Sequence, residues 1–164
     1  MDELFLKPLG YSRKQSWLCD LLSESRVNPN QKKAVDLYNE RIKTANYNLP
    51  EATVPDFDIN ELKKNAVQRK NEILTELEVS GANTIILLGD LPIRWFLNFY
   101  DKRTKLSQFG NSKETYGQLH DIIINNTTYS VIPLCHPRNA ARLGVHTSNW
   151  AEWHEAWVEQ KNKN

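Results

Sequence analysis

Cysteine is nearly absent: Cys19 and Cys135 are the only two in the chain. Two thiols cannot complete a tetrahedral zinc site or hold an iron–sulfur cluster by themselves, and they make no disulfide framework. Charge of one sign is missing too. The 21 basic side chains are matched by 20 acidic ones, leaving a net charge of +1. No global field therefore draws the chain to nucleic acid, and any such affinity has to come from a local patch. No apolar run approaches the length that spans a bilayer. Met1-Asp-Glu-Leu-Phe-Leu-Lys7 has neither the basic flank nor the long apolar core of a signal peptide, so the expected location is cytoplasmic. Repeats and low-complexity blocks are also lacking. What remains is 164 residues of ordinary globular composition, 40% hydrophobic and 25% charged, enough for one domain with a real core.

Hydrophobic spacing divides the chain into alternating helices and strands. Ser16-Trp-Leu-Cys-Asp-Leu-Leu22 predicts a short buried strand interrupted by Asp20, and the polar stretch Ser23 to Asn30 leads into a helix over about Gln31 to Thr44. Pro50 and Pro55 mark a loop from Asn46 to Asp58. Asp58 with Glu61 forms a capping-box-like start, after which Ile59, Leu62, Ala66, Ile73, Leu74 and Leu77 keep helical spacing to Ser80-Gly81. Thr84-Ile-Ile-Leu-Leu88 is the clearest strand, closed by Gly89-Asp90, and its unbroken apolar run predicts burial on both faces. Asp90 then serves as N-cap of an aromatic-rich helix from Ile93 to Tyr100, with Pro92 in its first turn. Leu119 to Ile124 and Tyr129 to Leu134, split by Asn125-Asn-Thr-Thr128, predict a hairpin. A final helix capped by Ser148 places Trp150, Trp153 and Trp157 on one stripe, better suited to core packing than to base stacking. The alternation predicts an α/β fold with a mostly parallel central sheet.

The richest stretch is Val131-Ile-Pro-Leu-Cys-His-Pro-Arg-Asn-Ala-Ala-Arg-Leu-Gly144. Its apolar run stops at a histidine, and a proline, two arginines, an asparagine and a glycine follow. A buried strand ending there delivers His136 to the sheet edge where open α/β folds bind ligands. The basic, small-residue tail suits a loop that approaches a phosphate backbone. The bland alternatives are a strand-end histidine bonded to backbone and an ordinary basic surface loop. His120, His146 and His154 show no metal-ligand spacing, and His154 reads as structural within its tryptophan-rich helix.

Three anchors in order along the chain together resemble the uracil-DNA glycosylase superfamily. His136-Pro-Arg138 is similar to the family's second motif, normally His-Pro-Ser, which precedes the loop entering the DNA minor groove. Leu87-Leu-Gly-Asp90 resembles its Leu-Trp-Gly-type strand end. Trp17-Leu-Cys-Asp20 with Arg26 resembles the strand whose terminal asparagine reads uracil. The likeness runs from about Ser16 to Trp157. It implies a single three-layer α/β/α domain over 1–164 with a mostly parallel central sheet. It also implies DNA repair by base excision, a hydrolase cutting the N-glycosidic bond of a damaged or deaminated base, with no metal or cofactor. The implied partner is single- or double-stranded DNA, with no membrane involved.

Two departures qualify the resemblance. The family's Gly-rich first motif, which positions the attacking water, would lie upstream of Ser16 and has no counterpart, so an N-terminally shortened domain is expected. Its strand would sit between the strands at Ser16–Leu22 and Thr84–Leu88, which predicts either their direct pairing or an unfilled slot. The second departure is Asp20 in place of asparagine. A carboxylate only accepts hydrogen bonds, so Asp20 suits an exocyclic amine or ring N–H better than the mixed edge of uracil.

By residue, the resemblance implies His136 as the catalytic donor to a base carbonyl and Asp20 as the base-binding group. Arg138, Asn139, Arg142 and Gly144 become the DNA-facing loop, with Leu143 as a wedge in the vacated stack. Ala140-Ala-Arg142 is also read as one turn of helix facing a phosphate. Arg26, Asn28 and Asn30 are further phosphate contacts, although Asn-Pro-Asn is equally good turn chemistry. Two other readings stay open: a non-catalytic nucleic-acid-binding remnant of the same fold, and an unrelated α/β enzyme acting on a small nucleotide or sugar.

Overall fold

A computed structural model describes residues 1–21, 29–53, 59–143 and 148–163. The chain divides into two compact units, Leu22–Arg69 and the combination of Met1–Leu21 with Lys70–Asn164. The first unit holds helix α1 (Pro29–Thr44) and the start of α2 (Ile59–Ser80). Within it Asn39 makes two reciprocal hydrogen bonds, both 2.9 Å, with the backbone of Ala52.

The larger unit is mixed α/β, built on a three-stranded sheet of β1 (Thr84–Leu88), β2 (His120–Ile124) and β3 (Thr127–Leu134) in the order β1-β3-β2. β1 runs parallel to β3, whereas β2 pairs with β3 antiparallel. The sheet is thus mixed, in place of the mostly parallel one expected. The hairpin turns in only two residues. Asn125 (φ 47°) and Asn126 (φ 65°) both take left-handed backbone, which asparagine tolerates and which matches the twist of the flanking strands. Thr127 and Thr128 belong to β3 and not to the loop.

β3, and not β1, carries the doubly buried run. Val131 to Cys135 are all buried, while in β1 only Ile85 and Leu87 are. Pro133 inside this central strand has a geometric reason. The amides of Ser130 and Cys135 and the carbonyl of Leu134 show that odd-numbered residues of β3 turn their N–H toward the β2 side. β2 stops pairing at His120, opposite Val131. The donor that Pro133 lacks therefore falls where no strand awaits it.

Residues 16–21 form no strand, which corrects the expectation for Ser16–Leu22; Leu22 itself lies outside the described residues. Among the described residues β1 pairs with β3 alone, so the direct pairing of that segment with β1 is not made. Trp17 is exposed and its indole N–H donates to Glu76 in α2 at 3.2 Å. An apolar tetrad broken by aspartate does not hold a strand when no neighbour supplies a ladder.

The tryptophan stripe of α5 (Ser148–Lys161) packs inward as expected. Trp157 is buried, and its indole N–H donates to Gly117 C=O at 3.1 Å. Gly117 permits that approach: its φ is +68°, and a Cβ there would lie 2.5 Å from the Trp157 ring. Among the described residues no helix is long and apolar enough to cross a membrane.

Candidate functional site

The parallel strands β1 and β3 end side by side, and both chains then enter short helices. After β1, Gly89 (φ +90°) precedes helix α3 (Asp90–Trp95); after β3, His136 precedes α4 (Pro137–Ala140). Gly89 N–H donates to Leu134 C=O at 2.8 Å. A Cβ on Gly89 would stand 3.2 Å from His136 Cβ, so the glycine is required by both its backbone angle and the approach of the histidine. Two of the three sequence anchors thereby meet.

His136 is the N-cap of α4. Its Nδ1 accepts a hydrogen bond from the backbone N–H of Arg138 at 3.2 Å, and its C=O accepts from the amides of Asn139 and Ala140. An acceptor nitrogen carries no proton, so the neutral ring bears its proton on Nε2. His136 is exposed overall, yet loss of water around the ring, with help from the Arg138 charge, holds its pKa below the ordinary imidazole value. The side chain is thus a neutral Nε2–H donor at the end of the parallel pair.

Past α4 the backbone closes in a Schellman ending. Leu143 N–H returns to Arg138 C=O at 2.7 Å and Arg142 N–H to Asn139 C=O at 3.0 Å, with Arg142 itself in the left-handed region (φ 56°). An arginine where glycine is favoured costs on the order of 1 kcal/mol. The helical turn therefore covers Pro137 to Ala140 and shares only Ala140 with the Ala140-Ala-Arg142 segment anticipated. Leu143 is left 70% exposed. Arg138 is exposed and has no ion pair among the described residues. Arg142, by contrast, is forked onto Glu155 of α5, with NH2–Oε2 at 2.9 Å and Nε–Oε1 at 3.1 Å. That carboxylate raises the Arg142 pKa and neutralises much of the charge that a phosphate would meet.

Of the other expected site residues, Asp20 is exposed on irregular backbone and ends no strand. Arg26, Asn28 and Gly144 lie outside the described residues, as does the side chain of Asn30. Asp90 is not the N-cap of its helix. Gly89 holds that position, and the Asp90 carboxylate accepts from the Leu106 N–H at 2.8 Å, sixteen residues away. The aromatic helix is correspondingly shorter: α3 ends at Trp95 and a separate 3-10 turn covers Leu97–Phe99.

A polar chain that sequence reasoning missed lies directly behind His136. Cys135 N–H donates to the Tyr116 hydroxyl oxygen at 2.8 Å; Tyr116 in turn lies 2.8 Å from Nδ1 of His154, and His154 Nε2 lies 2.9 Å from Leu4 C=O. A carbonyl only accepts, so His154 carries its proton on Nε2 and Tyr116 donates to Nδ1. Every proton in the chain is assigned. Burial lowers the His154 pKa and raises those of Tyr116 and the Cys135 thiol, so all three stay neutral. The structural reading of His154 holds. Nothing in the spacing around Tyr116 marks it, because it sits in a turn-rich stretch between elements.

A second cluster lies at the start of β2. Arg103 is bidentate to Asp101, with NH2–Oδ2 at 2.7 Å and Nε–Oδ1 at 2.9 Å. It also lies over the Phe109 ring and reaches His120 Nδ1 at 3.3 Å. Its hydrogen bonds, with help from its charge, hold the Asp101 carboxyl below the usual range, while burial and that same arginine lower the His120 pKa. Each of the three guanidinium nitrogens of Arg103 makes a contact within the cluster. Among the described residues no three His, Cys, Asp or Glu side chains group as a metal site.

No protein-family model matches the chain, and neither a curated protein nor a solved structure shows significant similarity to it.

Proposed function

We propose that the chain is a uracil-DNA glycosylase-like protein of the three-layer α/β/α type. Its proposed reaction is hydrolysis of the N-glycosidic bond of a damaged or deaminated base in DNA. The observation that carries this reading is the state of His136: a neutral imidazole, fixed in one tautomer, at the end of a parallel strand pair and with no partner on Nε2–H among the described residues. In such a reaction the C1′–N bond breaks with both electrons leaving on the base, and water oxygen adds at C1′ and sheds a proton to solvent. The charge gathering on a base carbonyl oxygen meets the Nε2–H donor. A pre-aimed donor in a partly dehydrated setting stabilises that charge without reorganising. The meeting of His136 with Gly89 adds support, since two of the three motifs that suggested the family are neighbours in space.

The test is excision from single- and double-stranded oligonucleotides containing uracil or hypoxanthine, read as alkali-labile abasic sites. Excision is expected, with His136→Ala lowering its rate by about 100-fold or more. No abasic site from any substrate would rule out the hydrolase.

A second reading, a nucleic-acid-binding protein without catalysis, gains from Asp20 and Asp90. One is exposed off the sheet and the other is spent on Leu106, so neither is poised over a sugar. This reading expects salt-dependent DNA binding that survives His136→Ala and weakens with Arg138→Ala. Tight binding of a free nucleotide without DNA affinity would point instead to a small-nucleotide enzyme.

A further inference from the structure

The peptide unit joining Leu134 to Cys135 closes β3, one peptide short of His136, and it is held from both sides. Its C=O accepts from Gly89 N–H at 2.8 Å, and its N–H donates to the Tyr116 hydroxyl at 2.8 Å. The first bond continues the β1–β3 ladder. The second replaces a ladder that has run out. Extended in the register His120↔Val131, β2 would bring Tyr116 opposite Cys135. The chain turns away before reaching that point, and the Tyr116 side chain supplies the acceptor that backbone would have given.

The hydroxyl is not free to swing. It must donate to His154 Nδ1, because His154 is pinned on its other side to Leu4 C=O. His154 is 1% exposed, stacked on Trp157 at 5.4 Å and against the tilted ring of Phe5 at 4.6 Å. The oxygen lone pairs of Tyr116 are therefore left pointing at Cys135. One residue later the backbone angles of His136 (φ −59°, ψ 141°) bring its Nδ1 onto the Arg138 amide.

We propose that Tyr116, held in turn by His154, is a positioning residue for His136: it fixes the last peptide of β3 so that the imidazole keeps its Nδ1 on the Arg138 amide and presents Nε2–H outward. Tyr116→Phe removes a single oxygen and leaves Cys135 N–H a buried orphan donor. That donor is satisfied again only if the peptide rotates, and rotation carries His136 off its cap. The value of this clamp for base excision rests on the donor role of His136 given above, whereas the clamp itself is read without substrate.

The experiment is nitrogen-15 NMR of the imidazoles in the full chain, for wild type, Tyr116→Phe and Ile122→Val. The last variant trims a buried core residue and controls for general destabilisation. Wild type and Ile122→Val are expected to show His136 as a single Nε2–H tautomer with one depressed pKa. Tyr116→Phe is expected to lose that signature, giving a tautomer mixture and a pKa moved toward the ordinary imidazole value. Unchanged His136 nitrogen shifts in folded Tyr116→Phe overturn the assignment, as does an equal change in Ile122→Val. If Tyr116→Phe does not fold, amide exchange in wild type decides. Cys135 N–H exchanging as slowly as the β3 amides supports the clamp, and exchange as fast as in the Arg138–Leu143 turn removes it. A wild type that excises no base but shows the tautomer change loses the glycosylase reading and keeps the clamp. Active wild type with an unchanged tautomer does the reverse.

Discussion

His154 is a member of the short chain of hydrogen bonds that ends on Cys135 N–H, and His136 is the next residue after that end; the protein treats the two histidines differently. On α5, His154 has both ring nitrogens bonded, aromatic rings packed against it and almost no exposure. At the strand end, His136 gives one nitrogen to the backbone and keeps the other outward. Burial lowers the pKa of both, so both are neutral near pH 7. Both carry the proton on Nε2, but that of His154 is bonded to Leu4 C=O, whereas that of His136 has no partner among the described residues. A histidine with two fixed partners holds a fold together, whereas one with a single fixed partner is a donor of defined direction. The neighbouring arginines divide in the same way: Arg142 is committed to Glu155, and Arg138 is uncommitted among the described residues.

The buried end should break hardest. Trp157→Ala empties a site closed on Gly117 and His154, and urea unfolding is expected to show a loss of about 3–5 kcal/mol. A loss under 1 kcal/mol would mean that α5 does not seal this block. His154→Leu is expected to cost less. It leaves the buried Tyr116 hydroxyl and the partly buried Leu4 C=O without their imidazole partner, at about 1–3 kcal/mol in all.

The same variant sharpens the comparison through pH. Folding depresses the pKa of His120, His136 and His154 below the ordinary 6.5, so between 6.5 and each folded value the unfolded chain binds more protons. Stability is therefore full above about pH 6.5 and declines as pH falls through the folded pKa values. In His154→Leu that decline should be shallower, measured as unfolding free energy from pH 8 down to pH 5. An equal slope would show that His154 contributes no proton linkage. The exposed end should respond least. Glu155→Gln is expected to leave the unfolding midpoint unchanged, because the pair it removes is solvent-screened. Freed of its partner, Arg142 should then steepen the salt dependence of DNA binding by about one counterion. An unchanged salt slope would place Arg142 outside any phosphate contact.

Much of the larger unit could be read from the amino-acid order, and the physical reason is locality. The bounds of β1 follow from five apolar or β-branched residues closed by a glycine. The hairpin follows from two asparagines that accept left-handed backbone. The stripe of α5 follows from tryptophans at helical spacing. His136 was legible for the same reason, since a buried run that stops at His-Pro marks a strand end.

Where the sequence misled or was silent, partners distant in the chain decided. The Ser16–Leu22 segment reads as a strand, yet residues 16–21 have no ladder to join and stay irregular. Asp90 looks like a cap for its own helix, but its carboxylate finds the amide of Leu106 instead. Arg142 reads as a phosphate ligand, and folding brings Glu155 to it. Tyr116 carries no signal at all, because its role comes from where the β2 ladder stops and from the imidazole behind it. The sequence by itself determined β1, the β2–β3 hairpin, the inward stripe of α5 and which residue tops β3. Tertiary structure alone decided which polar groups remain unspent once the chain has closed, because hydrogen-bond satisfaction depends on neighbours in space and not on neighbours in order.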